Sequence, residues 1–292
     1  MSASTRGTIF LEEGRVLLHT AFEAHQFVIR IEAPKCAAHA TPGSFAHVTC
    51  HATIPMRRPL SLMRVDKDAG WIEILYKAEG LGLHALSLAK AGETLSILGP
   101  IGSGFVLHPE KPRALLIGGG VGIPPVIFLA EHLKDRKDAA WQPLVLMGSE
   151  VPFPFVMQSA VAPIAGIRAE ISACMPLIEE WGIGSRLASR SGFDGCFNGF
   201  VTELADAWLT MLAPAELEKV EIFACGPTPM LEAATRLARR HAVACQVSLE
   251  EFMACAVGGC AGCTVLVQTP TGPAMKRVCV DGPVFDAYTV LF

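Results

Sequence analysis

The chain has 292 residues, enough for two or three domains with cores of their own. Hydrophobic residues make up 51% and charged residues 18%, which excludes a disordered chain in favour of well-buried globular structure. A net charge of −4, with no Lys/Arg cluster on any expected helix face, excludes a nucleic-acid-binding footprint.

A mean hydropathy of +0.40 raises the question of a membrane span. The best candidate, "ALLIGGGVGIPPVIFLA" at 114–130, is broken by glycines and prolines and falls short of an uninterrupted apolar run, so buried strand and helix are expected there and no membrane contact. The excess apolarity also suits an interface with a partner subunit. The opening stretch "MSASTRGTIFLEEGRV" lacks a continuous apolar core and carries acidic residues, which predicts no signal peptide and a cytoplasmic location. In that compartment ten cysteines point to metal binding or reduced thiols.

Residues 1–107 carry short β-type runs, "FVIRIEA" (27–33), "SFAHVTC" (44–50), "WIEILYKA" (71–78) and "ETLSILGP" (93–100), punctuated by Gly and Pro. Such spacing predicts a small antiparallel β-barrel or sandwich. "HPEKPR" (108–113) is a polar linker. From 112 to 247 the texture changes to unbroken apolar strands, "ALLIGGG", "PLVLMGS" and "VEIFACG", interleaved with the helical stretches "IPPVIFLAEHLKD" and "PMLEAATRLARRH". Strands without alternation between helices predict an α/β domain built on a parallel sheet covered on both faces. The remainder, 248–292, is short and rich in cysteine and reads as a third, small domain.

"GGGVGIPP" (118–125) follows one of these strands and opens a helix. Gly118, Gly119, Gly120 and Gly122 there would let a pyrophosphate approach the backbone and the helix N-terminus, although the spacing lacks the full dinucleotide fingerprint and also suits a plain glycine-rich turn. "ACGPTPML" (224–231) repeats the strand-to-helix arrangement, placing Cys225, Gly226 and Pro227 at a second strand end. Cys225 is either a small packed residue or a contact to a nicotinamide ring. After "PLVLMG" come Ser149 and Glu150; a carboxylate there accepts from ribose hydroxyls and repels a 2′-phosphate, and no Arg is expected nearby, which favours NAD, or else it is a solvated loop residue. In "RRPLSL" (57–62), Arg58 can pair with a phosphate, Pro59 fixes the backbone and Ser61 offers a hydroxyl.

Cys255, Cys260, Cys263 and Cys279 follow C-x4-C-x2-C-x15-C, the spacing of a plant-type [2Fe–2S] site. Gly258, Gly259 and Gly262 suit a loop wrapped closely around a cluster. Zinc also accepts four cysteines, though it more often uses paired C-x2-C knuckles. The other cysteines have no ligand spacing.

The order "RRPLSL", "GPIGSGF" (99–105), "GGGVGIPP" and "CGPTPML" resembles the ferredoxin–NAD(P)H reductase superfamily. "SLEEFMACAVGGCAGC" with "RVCVDGPVF" is similar to the C-terminus of the electron-transfer subunits of class 1B dihydroorotate dehydrogenases. The resemblance spans essentially the whole chain. It implies an FAD-binding β-barrel at 1–107, an NAD-binding α/β domain at 112–247 and a [2Fe–2S] domain at 248–292. Arg58, Pro59, Leu60 and Ser61 would line the flavin and its pyrophosphate, and Leu75, Tyr76 and Lys77 would pass beside the isoalloxazine. Gly82 and Leu83 would meet the FAD phosphates; the family commonly has Gly-Thr there, so one hydroxyl is missing. Gly118–Gly122 and Cys225–Pro227 would receive NAD(H), and the four cysteines would ligate the cluster. The implied enzyme is an NAD-dependent flavin/iron–sulfur oxidoreductase subunit of pyrimidine biosynthesis. Its implied partner is an FMN-containing catalytic subunit that oxidises dihydroorotate to orotate, in a two-plus-two heterotetramer. The implied current runs from dihydroorotate to NAD+, with no general acid or base required of this chain. Related NAD(P)H:ferredoxin oxidoreductase or hydrogenase diaphorase subunits share the cofactors, and some of them replace one cluster cysteine with Asp. A non-catalytic iron–sulfur or zinc module would carry no flavin.

Overall fold

The computed structural model describes residues 7–138 and 140–292. Contacts divide the chain into two units. The first takes the residues through Phe105 with Leu249–Phe285 and Thr289–Leu291, and the second takes Val106–Ser248 with Asp286–Tyr288 and Phe292. The first division falls between Phe105 and Val106, ahead of the expected linker at 108–113. The cysteine-rich segment, read from sequence as a domain of its own, gathers with the N-terminal unit in this division.

The first unit is built on an antiparallel sheet of β1 (Phe10–Phe22), β2 (Gln26–Glu32), β3 (Phe45–Val48), β4 (Arg58–Ser61), β5 (Arg64–Asp66), β6 (Trp71–Lys77) and β7 (Thr94–Ile101). Their order is β4-β3-β7-β1-β2-β6-β5, and β4 near one end also meets β6 near the other, so the sheet curls as a barrel does. Short helices α1 (Pro34–His39) and α2 (Gly80–Leu86) lie in the connections. In β2 the side chains of Ile29 and Ile31 are fully buried while those beside them are partly exposed, the alternation expected of a strand with one face on a core. Ile72, Ile74, Ile97 and Ile101 complete that core. The long strand β1 has no clear alternation in sequence and no place among the expected strands. It is held by partners on both sides, and a Cβ on Gly14 would stand 2.5 Å from the Glu32 carbonyl oxygen, so glycine is what lets β1 approach β2.

The second unit carries a parallel sheet of β8 (Arg113–Gly119), β9 (Leu144–Gly148), β12 (Gly184–Ala188), β13 (Val220–Cys225) and β14 (Ala244–Ser248), in the order β12-β9-β8-β13-β14. A short antiparallel pair, β10 (Gln158–Ser159) and β11 (Ala173–Cys174), precedes β12. The helices are α3 (Ile123–Lys134), α4 (Pro176–Glu180), α5 (Val201–Thr210), α6 (Pro214–Leu217) and α7 (Thr228–His241). Every residue of β13 is buried, as is β8 from Ala114 onward, which is why these strands read as continuous apolar runs. The one carboxylate within β13, Glu221, is matched by His108 Nδ1 at 2.9 Å and Gln246 Nε2 at 2.7 Å. Helix α3 tolerates Pro124 and Pro125 because amide donors of a first turn have no intrahelical acceptor.

The cysteine segment contributes a hairpin of β15 (Thr264–Thr269) and β16 (Gly272–Arg277), followed by the helical turn α8 (Val278–Asp281). The Ser103 N–H donates to the Gly282 carbonyl at 2.6 Å, and Leu249 N–H to Pro283 at 2.9 Å, fastening the segment within its unit. No helix among the described residues is long and apolar enough to cross a membrane.

Candidate functional site

Arg58, Pro59, Leu60 and Ser61 form β4, the edge strand beside β3. An edge position accommodates Pro59, which has no N–H to give. Arg58 donates to the Met56 and Arg57 carbonyls at 2.8 and 3.2 Å, and among the described residues no carboxylate pairs with it. Its guanidinium packs on α2: a Cβ on Gly82 would lie 2.9 Å from it. The fold thereby brings Arg58 of this strand against Gly82 of α2. Tyr76 is different. It is 1% exposed, its hydroxyl meets His19 Nε2 at 2.8 Å, and its ring stacks on Phe27, so its side chain is committed to the sheet interior. Leu75 is also buried, and Lys77 pairs with Glu79 at 2.6 Å.

One residue that sequence reading passed over is His47 on β3, opposite Pro59. It is 1% exposed and neither ring nitrogen has a hydrogen-bond partner. Burial first and the Arg57 charge second push its pKa down to about 4, against a weaker opposite pull from the Met253 and Arg57 backbones, which stand outside hydrogen-bonding geometry. On the neighbouring register position, the Arg58 guanidinium, with no carboxylate to meet among the described residues, fits an anionic group bound along β4.

The cysteine loop is shaped by left-handed backbone at Ala256, Gly258 and Ala261 (φ 55, 81 and 54°). Gly258 is required: a Cβ there would stand 2.5 Å from Val280, and its carbonyl accepts from Arg277 Nη1 at 2.9 Å. The x15 interval before the last cysteine is the hairpin. The register pairs Thr264 with Arg277, so the residues just outside it meet, and Cys263 Sγ lies 3.3 Å from Cys279 Sγ with both buried. Cys279 therefore comes from the helical turn α8. Cys260 is exposed and Cys255 half-buried, and the Cys260 N–H donates to Cys255 Sγ at 3.4 Å. Burial raises the pKa of Cys255, but the Val257, Cys260 and Gly259 N–H groups and the Cys260 thiol outweigh it and bring the value down to about 7. The thiols stand as a buried pair, Cys263 and Cys279, and an outer pair, Cys255 and Cys260, which fits two irons taking two thiolates each.

In the second unit the glycine turn at 120–122 links β8 to α3. Cβ atoms on Gly119, Gly122 and Gly226 would collide with Met230 Sδ (2.4 Å), the Cys225 carbonyl oxygen (2.4 Å) and Met230 Cε (2.6 Å). The β8 and β13 ends thus touch through backbone, as the register of Gly118 with Cys225 requires. Gly120 has φ +55° and a Cβ there would meet nothing within 4 Å, so the turn faces open space. Cys225 is fully buried, which suits packing. The expectation that Glu150 has no Arg beside it needs correction: Arg190 Nε lies 3.3 Å from its carboxylate, brought there from the end of β12.

A curled antiparallel sheet followed by a parallel-sheet unit and a four-cysteine segment defines a ferredoxin-reductase-like fold with a C-terminal iron–sulfur binding segment. A chain from the structure of an NADH-dependent reduced ferredoxin–NADP oxidoreductase superposes with a TM-score of 0.76 at 24% identity, covering 96% of this chain and 90% of that one. The ferredoxin reductase of carbazole 1,9a-dioxygenase gives 0.59 at 20%, covering 80% and 67%. Residues 250–291 match the iron–sulfur cluster binding domain of dihydroorotate dehydrogenase B. The dihydroorotate dehydrogenase B (NAD(+)) electron transfer subunit of Caldanaerobacter subterraneus is 33% identical over 86% of this chain and 87% of its own length. That of Geobacillus sp. is 35% identical over 86% of each, and that of Shouchella clausii 29% over 96% and 98%. The chain belongs to the family of dihydroorotate dehydrogenase B (NAD(+)) electron transfer subunits.

Proposed function

We propose that the chain carries electrons between a dihydroorotate-oxidising catalytic subunit and NAD+, using FAD and a [2Fe–2S] cluster. The observation that carries this reading is the pairing of four thiols on a segment that packs in the same unit as the Arg58–Ser61 strand. When bound, the flavin supplies exchange of a hydride with nicotinamide on one side and single electrons with the cluster on the other. The residues of the chain have the binding tasks. Arg58, Ser61 and the Gly82–Leu83 turn hold the flavin phosphates, with Pro59, Leu60 and the β6 stretch Leu75–Lys77 beside its ring. Gly118–Gly122 and Cys225–Pro227 receive the dinucleotide. Cys255, Cys260, Cys263 and Cys279 ligate the cluster. The partner is an FMN subunit, two copies of each forming the complex in the cytoplasm.

Absorbance and metal analysis of the purified chain test this. The reading expects a flavin band with about two irons and two acid-labile sulfides per chain. One zinc without flavin would contradict it. Co-purification with a ferredoxin or hydrogenase subunit in place of an FMN dehydrogenase would contradict the assigned partner.

A further inference from the structure

The register aligns Gly119, Gly148 and Ala188 in one row across β8, β9 and β12, so the loops after these strands leave the sheet side by side. Neighbouring strands lie about 5 Å apart, which sets the β12 end roughly 10 Å from the glycine turn. A dinucleotide with its pyrophosphate on that turn extends its adenosine ribose over the ends of β9 and β12. Two charges meet at this place. Arg190 Nε is 3.3 Å from Glu150 Oε2, and the guanidinium lies over the Phe200 ring, 4.2 Å from its centroid. Ser191 Oγ donates to the Glu150 carbonyl at 2.7 Å, and the Ser191 N–H donates to Ser189 Oγ at 3.1 Å. The start of α5 is not the anion binder here, because Glu203 already accepts the Phe200 N–H at 2.7 Å.

The side chains of Arg190 and Glu150 are 54% and 49% exposed, and exposed ion pairs hold together weakly. Arg190 is therefore easily released to another anion, and its planar fork suits a phosphate. We infer that the Glu150–Arg190 pair decides between a dinucleotide with a free adenosine 2′-hydroxyl and one with a 2′-phosphate. With Glu150 present, its carboxylate accepts from the ribose hydroxyls, occupies Arg190 and repels the extra phosphate. Without it, Arg190, backed by Phe200 and flanked by the Ser191 hydroxyl, receives the 2′-phosphate. The inference rests on the reading that the second unit binds NAD(H).

Calorimetric titration of the full-length flavin- and cluster-loaded chain with NAD+ and with NADP+ tests it without turnover. E150Q should move the ratio of the two affinities toward NADP+ by about 10- to 100-fold, the range of one charge-assisted contact. Adding R190A to E150Q should remove that gain. An unchanged ratio in E150Q, with NAD+ still bound, would overturn the inference and leave dinucleotide binding standing. So would a gain that survives R190A. Failure of every form to bind either dinucleotide would overturn both.

Discussion

His47 is held neutral inside the sheet with both ring nitrogens unpaired. Its folded pKa of about 4 lies below the ordinary 6.5, so as pH falls the unfolded chain takes up a proton before the folded one does. Its contribution to stability is whole above about pH 6.5 and drains away toward pH 4, by about 3 kcal/mol at most. His47→Leu should therefore flatten the acid side of the stability curve. Thermal unfolding of both forms between pH 7 and 4.5 checks this, and parallel curves would count against the buried neutral imidazole. Two glycines of one turn make a second comparison. A methyl on Gly122 would press on the Cys225 and Gly226 backbone, which cannot move aside, so Gly122→Ala should cost about 1–3 kcal/mol or more and weaken NAD+ binding. Gly120→Ala meets no atom and bears only the left-handed backbone, about 1–2 kcal/mol. Denaturant unfolding ranks the two.

At the scale of elements, strand β4 and helix α2 meet where the Arg58 guanidinium covers Gly82. Gly82→Ala would displace the flexible tip of Arg58 and leave the core untouched. Flavin retention should weaken about tenfold while unfolding stability changes by less than about 1 kcal/mol. Equilibrium dialysis of FAD measures the first and denaturant titration the second; a stability loss without a flavin effect would remove Arg58 from the proposed role. The hairpin of β15 and β16 shows how much of such a site a sequence can carry. The four-cysteine spacing was legible because ligand spacing is local chemistry, and the apolar runs of β8, β9 and β13 were legible because burial on two faces leaves no alternation. Strand β1 was not, since its partners on both sides, and not its own pattern, make it a strand. Arg190 beside Glu150 was hidden for the same reason: parallel pairing of β9 with β12 joins loops that are distant in sequence. The orphaned state of His47 is likewise a product of packing.

Across the whole molecule, the cysteine segment gathers with the N-terminal unit, and the glycine turn proposed to receive the dinucleotide belongs to the other. Cluster and nicotinamide chemistry are therefore assigned to different units of one chain, and they should be separable. Cys260 is the proposed ligand to remove, because it is exposed and its loss leaves no cavity. The most direct measurement uses wild type and Cys260→Ser, each combined with a dihydroorotate-oxidising FMN subunit. Cys260→Ser should lose its iron and its dihydroorotate-driven NAD+ reduction while keeping FAD and NADH-driven dye reduction. If dihydroorotate still reduced NAD+ at the wild-type rate without the cluster, or if dye reduction disappeared with the iron, the account of this chain as a flavin-and-cluster conduit would be contradicted.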